Sequence, residues 1–273
     1  MKIQKITTFP VKSLSWIDVE LTTISKQWVL NDRRYMIIER VEEWIFTFLS
    51  QRRDPQLWQL ETRINWDLIC IQWKDTTLSF SPERITKKTV TVKIRDSENL
   101  YYLLDSEINN QLSEIIWREV YLVTYGMNTK RTKYWMNIWC QDRSPVSFFL
   151  NSTIDHIQSS LEQDRNNFRY NIVLEDSDCL WVYWEDILIW KSRSIWEIKW
   201  CMERPISRCK IVNNNPNWWQ TNILRELASQ GRNTKVLNQY WKEKRWIFAW
   251  VWWYFTHDSE WMSISIWNEL LVD

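Results

Sequence analysis

The sequence has very little glycine: Gly126 and Gly231 are the two in a chain of 273 residues. Average usage is about 7%, or about 19 glycines in a chain of this length, and folded chains use them where φ must be positive. Alanine is equally scarce, at Ala228 and Ala249. The chain has 23 tryptophans instead. Because the missing glycines and the extra tryptophans are similar in number, we look for one explanation of both.

The composition excludes several classes of protein. The formal net charge is +1, so there is no broad basic field for nucleic acid or for an anionic membrane surface. The longest apolar stretches, such as Trp246–Phe255, are too short to span a bilayer, and the N-terminal residues lack the apolar centre of a signal peptide. With 45% hydrophobic residues, we expect a soluble cytoplasmic protein that binds neither nucleic acid nor a membrane.

The residues that usually bind metals are also few. There are two histidines, His156 and His257, and no pair of cysteines has the CxxC spacing. A zinc site or an iron–sulfur cluster of the usual kind would therefore have almost no ligands. Any bound metal would have to be held by one thiolate together with a cofactor. The five cysteines are Cys70, Cys140, Cys179, Cys201 and Cys209.

Short runs rich in Ile, Val, Thr and aromatic residues predict a first module of strands. Many short strands at such intervals are typical of a closed or nearly closed β-barrel. Apolar residues at Ile108, Leu112, Ile115 and Ile116 follow the helical period and predict a helix over 105–116, which closes a module spanning 1–118. The predicted strands are 3–9, 19–24, 35–38, 57–62, 68–72, 77–80 and 90–94.

A second module, residues 119–273, is also predicted to be rich in strands. It opens with a strand over 120–125 and a polar loop through 130–133, and a helix is predicted over 148–161. Further strands are predicted at 170–174, 187–189, 195–198, 209–212, 248–256 and around 263–272, with a short helix at 222–228. The predicted fold class is mainly β (α+β), with a few helices packed against the sheets.

Several tryptophans occupy positions that resemble tight turns. Trp190 and Trp267 each lie between β-like runs and precede a polar residue, and Trp218-Trp219 follows Asn215-Pro216-Asn217. Such turns favour glycine, because a bulky residue rarely adopts a positive φ. We therefore hypothesise that UGA codons, which mean glycine in the source organism, are translated here as tryptophan. The alternative is an aromatic-rich core or a carbohydrate-binding surface.

Several separated segments resemble the MOSC family, named for the C-terminal domain of molybdenum cofactor sulfurase, and the N-terminal β-barrel domain that usually accompanies it. The resemblance extends over nearly the whole chain in the family's order, and Trp16 and Trp267 stand where the family has glycine. In family terms, the segments are 9–16 (YPVKSxxG), 31–35 (DRxW/Y), 48–55 (FLTxRxxP), 168–173 (FRPNIV), 204–209 (KPCxRC) and 264–269 (IxVGDE).

This resemblance implies a site for the molybdenum cofactor, a pterin dithiolene that carries a phosphate. It implies Cys209 as the metal ligand and catalytic residue, and a thiolate suits molybdenum because both are soft. Arg204, Arg208 and Lys210 make the surroundings of Cys209 electropositive, which favours its ionisation. The site is expected between the two modules. By resemblance, the cofactor is bound by Lys12, Ser13 and Arg33 from the first module and by Arg169, Asn171 and Ser207 from the second.

Some members of the family, including the mitochondrial amidoxime-reducing component and bacterial relatives, reduce N-hydroxylated compounds. The resemblance therefore implies an oxidoreductase that receives electrons from a separate ferredoxin, flavodoxin or cytochrome. Pyridoxal phosphate binding is a further expectation. Two departures from the motifs are Ile206, where the family has a first cysteine, and Tyr170, where it has proline. Two alternatives remain open: a sulfur or cofactor carrier with a persulfide on Cys209, and a binding protein without catalytic activity.

Overall fold

A computed structural model describes 15 stretches of the chain, and all structural statements below concern these stretches. They are 2–25, 28–65, 67–95, 97–126, 129–133, 136–138, 140–141, 146–161, 168–175, 192–195, 198–207, 233–237, 243–255, 262–265 and 271–272. They contain mostly strands, so the prediction of a mainly β fold is confirmed. In these stretches no helix combines the length and the hydropathy that a membrane span needs.

The chain divides into two compact units. One contains Met1–Thr7, Val19–Val29 and Val146–Asp273, and the other contains Thr8–Asp18 and Leu30–Pro145. The predicted boundary after residue 118 is one between domain families, so it stays a prediction.

The helices and strands have the following bounds. The helices are α1 (Ser106–Ile116), α2 (Asn151–Leu161) and a 3-10 helix, Pro55–Gln59. The first strands are β1 (Lys2–Thr8), β2 (Val11–Lys12), β3 (Ile17–Val19), β4 (Leu21–Ser25), β5 (Trp28–Val29), β6 (Tyr35–Arg40), β7 (Ile45–Phe48), β8 (Glu61–Asn65), β9 (Leu68–Trp73), β10 (Thr76–Phe80), β11 (Ile85–Ile94), β12 (Ser97–Leu104) and β13 (Tyr121–Thr124). The others are β14 (Thr132–Lys133), β15 (Met136–Asn137), β16 (Val146–Leu150), β17 (Ile172–Glu175), β18 (Ser192–Ile195), β19 (Ile198–Ser207), β20 (Asn233–Leu237), β21 (Glu243–Phe255), β22 (Met262–Ser265) and β23 (Leu271–Val272).

The unit that contains Leu30–Pro145 is built on a closed ring of five strands. β6 pairs with β7, β7 with β11, β11 with β12, β12 with β13, and β13 pairs back with β6. Alternate residues of β6 enter different buried clusters: Tyr35 and Ile37 pack in one, and Met36 and Ile38 in the other. This alternation is what a strand with both faces covered produces, because successive side chains point to opposite sides.

Helix α1 covers one of these clusters. Asp105 caps its first turn by accepting a hydrogen bond from Ile108 N–H at 3.0 Å. Ile108, Leu112, Ile115 and Ile116 are buried together, as their helical spacing predicts. The helix ends where Trp117 adopts a left-handed conformation, with φ 62° and ψ 32°. The three-stranded sheet β8–β9–β10 contributes Ile69, Ile71, Leu78 and Phe80 to the same cluster.

The other unit is organised on a larger sheet. Its strands lie in the order β23-β18-β19-β21-β16-β17-β1, and β20 pairs with β21. β16 and β17 run parallel and are joined by α2, while β1 is antiparallel to β17. A separate sheet has the order β22-β4-β5.

Three sequence predictions of elements are wrong in part. A strand was expected over 57–62, but Pro55 and the Asp54 cap begin a 3-10 helix there, and strand β8 starts only at Glu61. The predicted helix over 148–161 begins at Asn151, because the buried run Val146–Leu150 is strand β16. Of the strand predicted over 195–198, Ile195 ends β18 and pairs with Ile198 at the start of β19, and residues 196–197 lie outside the described residues. Strand β12 was missed, and the predicted elements at 187–189, 209–212 and 222–228 lie outside the described residues.

Candidate functional site

Two segments that are separate in the sequence lie side by side in one compact unit. Val11 and Lys12 of β2 pair in parallel with Tyr35 and Met36 of β6. Arg33 N–H donates to the Phe9 carbonyl at 2.7 Å, and Tyr35 N–H donates to the Pro10 carbonyl at 3.0 Å. We call 9–14 and 31–35 the paired segments. Their pairing brings three of the predicted cofactor residues, Lys12, Ser13 and Arg33, onto adjacent stretches of backbone.

The backbone of the paired segments is left-handed at residues that are not glycine. Ser13 has φ 71°, Asn31 has φ 62° and Arg33 has φ 47°. Ser13 is the second central residue of a turn closed by a hydrogen bond from Leu14 N–H to the Val11 carbonyl, a position where a positive φ usually requires glycine or asparagine. Such conformations cost free energy and are concentrated at functional sites, where the surrounding structure imposes them.

Asp32 joins the paired segments from within. Its side chain is fully buried, Oδ1 accepts a hydrogen bond from Phe9 N–H at 3.0 Å, and Oδ2 accepts one from Arg33 Nη1 at 2.5 Å. The guanidinium of Arg33 also lies over the Phe9 ring, 4.3 Å from its centroid. Sequence reasoning included Asp32 in a motif but gave it no role, because the contact with Phe9 is between distant parts of the chain.

Lys12 is an almost completely buried cation. It is 4% exposed, its Nζ donates to the Cys140 carbonyl at 2.8 Å, and it lies 5.1 Å from the centroid of the Phe48 ring. A buried ammonium is expensive unless polar groups compensate it, so its presence here indicates a role other than solubility. Sequence reasoning did not predict the contact with Cys140.

A second buried cation, Arg131, borders the same region. It is 5% exposed and its Nη1 donates to the Gln141 carbonyl, while Gln141 Nε2 donates to the Asp32 carbonyl at 3.4 Å. The sequence predicted only a polar loop at 130–133, since four polar residues in a row give no sign of burial. The described region thus contains two buried cations, Lys12 and Arg131, and the partly buried Arg33 beside the buried carboxylate of Asp32.

The thiol of Cys140 is held in its neutral form. Burial raises its pKa to about 12, although the positive charges of Lys12 and Arg131 act in the opposite direction. Burial also raises the pKa of Tyr35 to about 12, with Arg34 opposing it. Neither group is therefore a proton acceptor near neutral pH.

Two further predicted cofactor residues, Arg169 and Asn171, lie in the other compact unit. Asn171 is buried, its Oδ1 accepts from Ser147 N–H at 3.1 Å, and its Nδ2 donates to the Thr7 carbonyl at 3.2 Å. These bonds tie β16 to β1, so Asn171 has a structural role whatever else it does. Arg169 is left-handed, with φ 55°.

The remaining predicted residues have no described side chain. Ser207 is the last residue of β19 and its backbone pairs with Phe248, while Cys209 lies outside the described residues. Among the described residues, no group of three or more His, Cys, Asp or Glu side chains could hold a metal ion. The predicted location of the site between the modules stays a prediction.

A domain-family model matches the first part of the chain. The model of the MOSC N-terminal beta barrel domain matches residues 1–116, which include both paired segments, four of the five ring strands and α1. No curated protein matches the chain significantly. The resemblance inferred from the sequence motifs is thereby confirmed over residues 1–116, which match the MOSC N-terminal beta barrel domain.

Proposed function

We propose that the protein binds the molybdenum cofactor and that Lys12, Ser13 and Arg33 bind its anionic groups. The observation that carries the proposal is the left-handed backbone at Ser13, Arg33 and Arg169. In the described stretches, seven non-glycine residues have a positive φ, and these three predicted cofactor residues are among them. Such strain persists where the surrounding structure holds a side chain or an N–H group in one particular direction.

The side chains of the paired segments fit a phosphate-bearing pterin. Arg presents several N–H donors in a planar fork that matches phosphate oxygens, and Lys supplies a point charge. Both cations are held by protein contacts before any ligand binds, which lowers the entropy lost on binding.

We further propose an oxidoreductase that reduces N-hydroxylated compounds with electrons from a ferredoxin, flavodoxin or cytochrome. When bound, the cofactor would supply oxygen-atom transfer and two-electron redox chemistry. Cys209 would provide a thiolate to the metal, and Arg169, Asn171 and Ser207 would complete the cofactor contacts. The paired segments would bind and orient the cofactor, and they would not exchange protons with the substrate.

The test is metal and pterin analysis of protein expressed in a host that makes the cofactor. We expect about one molybdenum and one pterin per chain, and loss of the molybdenum in Cys209→Ser. The matched control is Cys70→Ser, because Cys70 is a half-buried thiol on β9 that the proposal gives no role. Protein without molybdenum and pterin, or a Cys209→Ser variant that retains the metal, would contradict the proposal.

The same samples distinguish the other functions. A persulfide mass shift on Cys209 without molybdenum would favour a sulfur or cofactor carrier, and the absence of both signals would favour a binding protein without catalytic activity. Pyridoxal phosphate binding stays a prediction, which absorbance near that cofactor's aldimine band would test.

We also propose that tryptophans of this sequence are glycines in the native protein, through UGA codons. Trp117 supports this, because it is left-handed at the end of α1 and Arg118 N–H donates to the Ser113 carbonyl, the pattern of a helix end that favours glycine. Two-residue connections support it too: only Trp66-Asp67 separates paired Asn65 and Leu68, and only Trp196-Glu197 separates paired Ile195 and Ile198. Trp16 does not have a positive φ. UGG codons at these positions would disprove the proposal.

A further inference from the structure

Asp32 carries a buried negative charge next to the cations that we propose for the cofactor. A carboxylate there is electrostatically unfavourable, because it repels an anionic ligand and cancels part of the charge of Arg33. It is nevertheless fully buried, and each of its oxygens accepts a hydrogen bond from one of the paired segments. A geometric role would explain why a carboxylate occupies this position.

The geometry of Arg33 indicates what that role is. Oδ2 of Asp32 binds Nη1 in one direction, and the Phe9 ring lies against the guanidinium at 4.3 Å in another. Contacts with an acceptor and with an aromatic face together restrict both the tilt and the rotation of a planar guanidinium. The backbone is fixed as well, since Arg33 N–H donates to the Phe9 carbonyl while Phe9 N–H donates to Asp32.

We infer that Asp32 is a positioning residue that orients the Arg33 guanidinium toward the anionic group of the cofactor. This inference rests on the proposed function. Asp32 touches no ligand in this assignment: it holds Arg33 through Oδ2 and fixes the segment that carries Lys12 and Ser13 through Oδ1. The bond to Asp32 is made by Nη1, and a guanidinium has five N–H donors in all.

The variant Asp32→Asn separates this role from simple charge. Its amide oxygen can still accept from Phe9 N–H, but its NH2 group would face Arg33 Nη1, donor against donor. The variant also makes the region more positive by one charge. If charge alone matters, Asp32→Asn holds an anion more tightly; if orientation matters, it holds the anion less tightly.

The experiment measures how fast purified, cofactor-loaded protein loses its molybdenum and its fluorescent pterin during dilution and gel filtration. We expect Asp32→Asn to shorten the half-time of loss about tenfold, as for a lost charge-assisted hydrogen bond. Arg33→Lys should have a similar effect, and the double variant should be within about twofold of either single variant, because the two residues act as one unit. The control Asp54→Asn removes a carboxylate that pairs with Arg118 in the same unit, and should leave the half-time unchanged.

The half-times of loss distinguish a positioning role of Asp32 from a simple charge effect. A half-time that is unchanged or longer in Asp32→Asn, or effects that multiply in the double variant, would overturn the role of Asp32 while leaving the proposed function intact. Thermal unfolding of each variant shows whether it is folded, and Arg33→Lys tests the same pair if Asp32→Asn folds poorly. A wild-type protein without molybdenum and pterin would overturn the proposed function, and this inference with it.

Discussion

Left-handed backbone occurs in two different surroundings within one compact unit. In the paired segments, Ser13 and Arg33 have φ 71° and 47°, and at the end of α1 Trp117 has φ 62°. Ser13 is 8% exposed, whereas Trp117 is 83% exposed. The local cost of each conformation is similar, about 1–2 kcal/mol for a residue with a side chain.

The two surroundings differ in what compensates that cost. Around Arg33, backbone and side-chain hydrogen bonds to Phe9 and Asp32 hold the conformation from several directions. Around Trp117, backbone N–H groups donate to the Ser113 carbonyl, but the side chain contributes one described contact, a tilted ring pair with Trp73 at 5.9 Å. The side chain of Arg33 thus helps to hold its left-handed conformation, whereas the conformation of Trp117 owes little to its side chain, as at a position that favours glycine.

The first prediction tests the compensated region and has the largest expected effect. Asp32→Ala removes the acceptor of Phe9 N–H and the partner of Arg33 from a buried position, so we expect the free energy of unfolding to fall by about 3 kcal/mol. Urea denaturation measures it. If the free energy of unfolding falls by less than about 1 kcal/mol, the paired segments do not depend on this carboxylate. Asp54→Asn is the control.

The second prediction concerns the buried anchor of α1. Asn109 Nδ2 donates to the Leu104 carbonyl at 2.9 Å, and its Oδ1 accepts from Leu122 N–H at 2.7 Å. Asn109→Ala should cost about 2 kcal/mol, since both groups lose a partner in a buried place. The exposed neighbour Asn110 provides a matched control, Asn110→Ala, with an expected change below about 0.5 kcal/mol. Equal effects of the two variants would contradict the contrast between the anchored and the exposed parts of the helix.

The third prediction uses pH to test the burial of Cys140, whose carbonyl accepts a hydrogen bond from Lys12 of the paired segments. The pKa of Cys140 rises from 9.0 to about 12 on folding, so above pH 9 the unfolded chain releases a proton that the folded chain keeps. Stability is therefore unaffected by this thiol below pH 9 and falls between pH 9 and 12, by up to about 1.4 kcal/mol for each pH unit. Cys140→Ala should make the fall between pH 9 and 10 shallower. An unchanged pH dependence in that variant would show that the thiol is not buried.

Sequence reasoning succeeded where a pattern is local. The spacing of Ile108, Leu112, Ile115 and Ile116 predicted α1 almost to the residue, because the buried face of a helix is visible in the spacing of its apolar residues. β12 was missed because Leu100–Leu104 is a continuous apolar run without the alternation of a half-buried strand.

Of the candidate site, only the sequence motifs could be predicted. The segments that carry Lys12, Ser13 and Arg33 were found from resemblance, and the structure pairs them. The role of Asp32 depends on Phe9, and the burial of Arg131 depends on Gln141 and the packing around it. Such contacts join residues that are far apart in the sequence, so no local sequence pattern predicts them.

The smallest expected effect is at the end of α1, and there we expect the substitution to stabilise the protein, whereas those above destabilise it. Trp117→Gly removes a side chain from a left-handed position that favours glycine, and it loses the contact with Trp73, so we expect a net gain of about 1 kcal/mol in the free energy of unfolding. The control Trp117→Ala loses the same contact but keeps a Cβ, so it should be less stable than Trp117→Gly by about 1 kcal/mol. Thermal and urea unfolding of both variants measure the difference. If alanine and glycine are equally stable at position 117, the backbone there does not need glycine, and the proposed UGA decoding loses its main structural support.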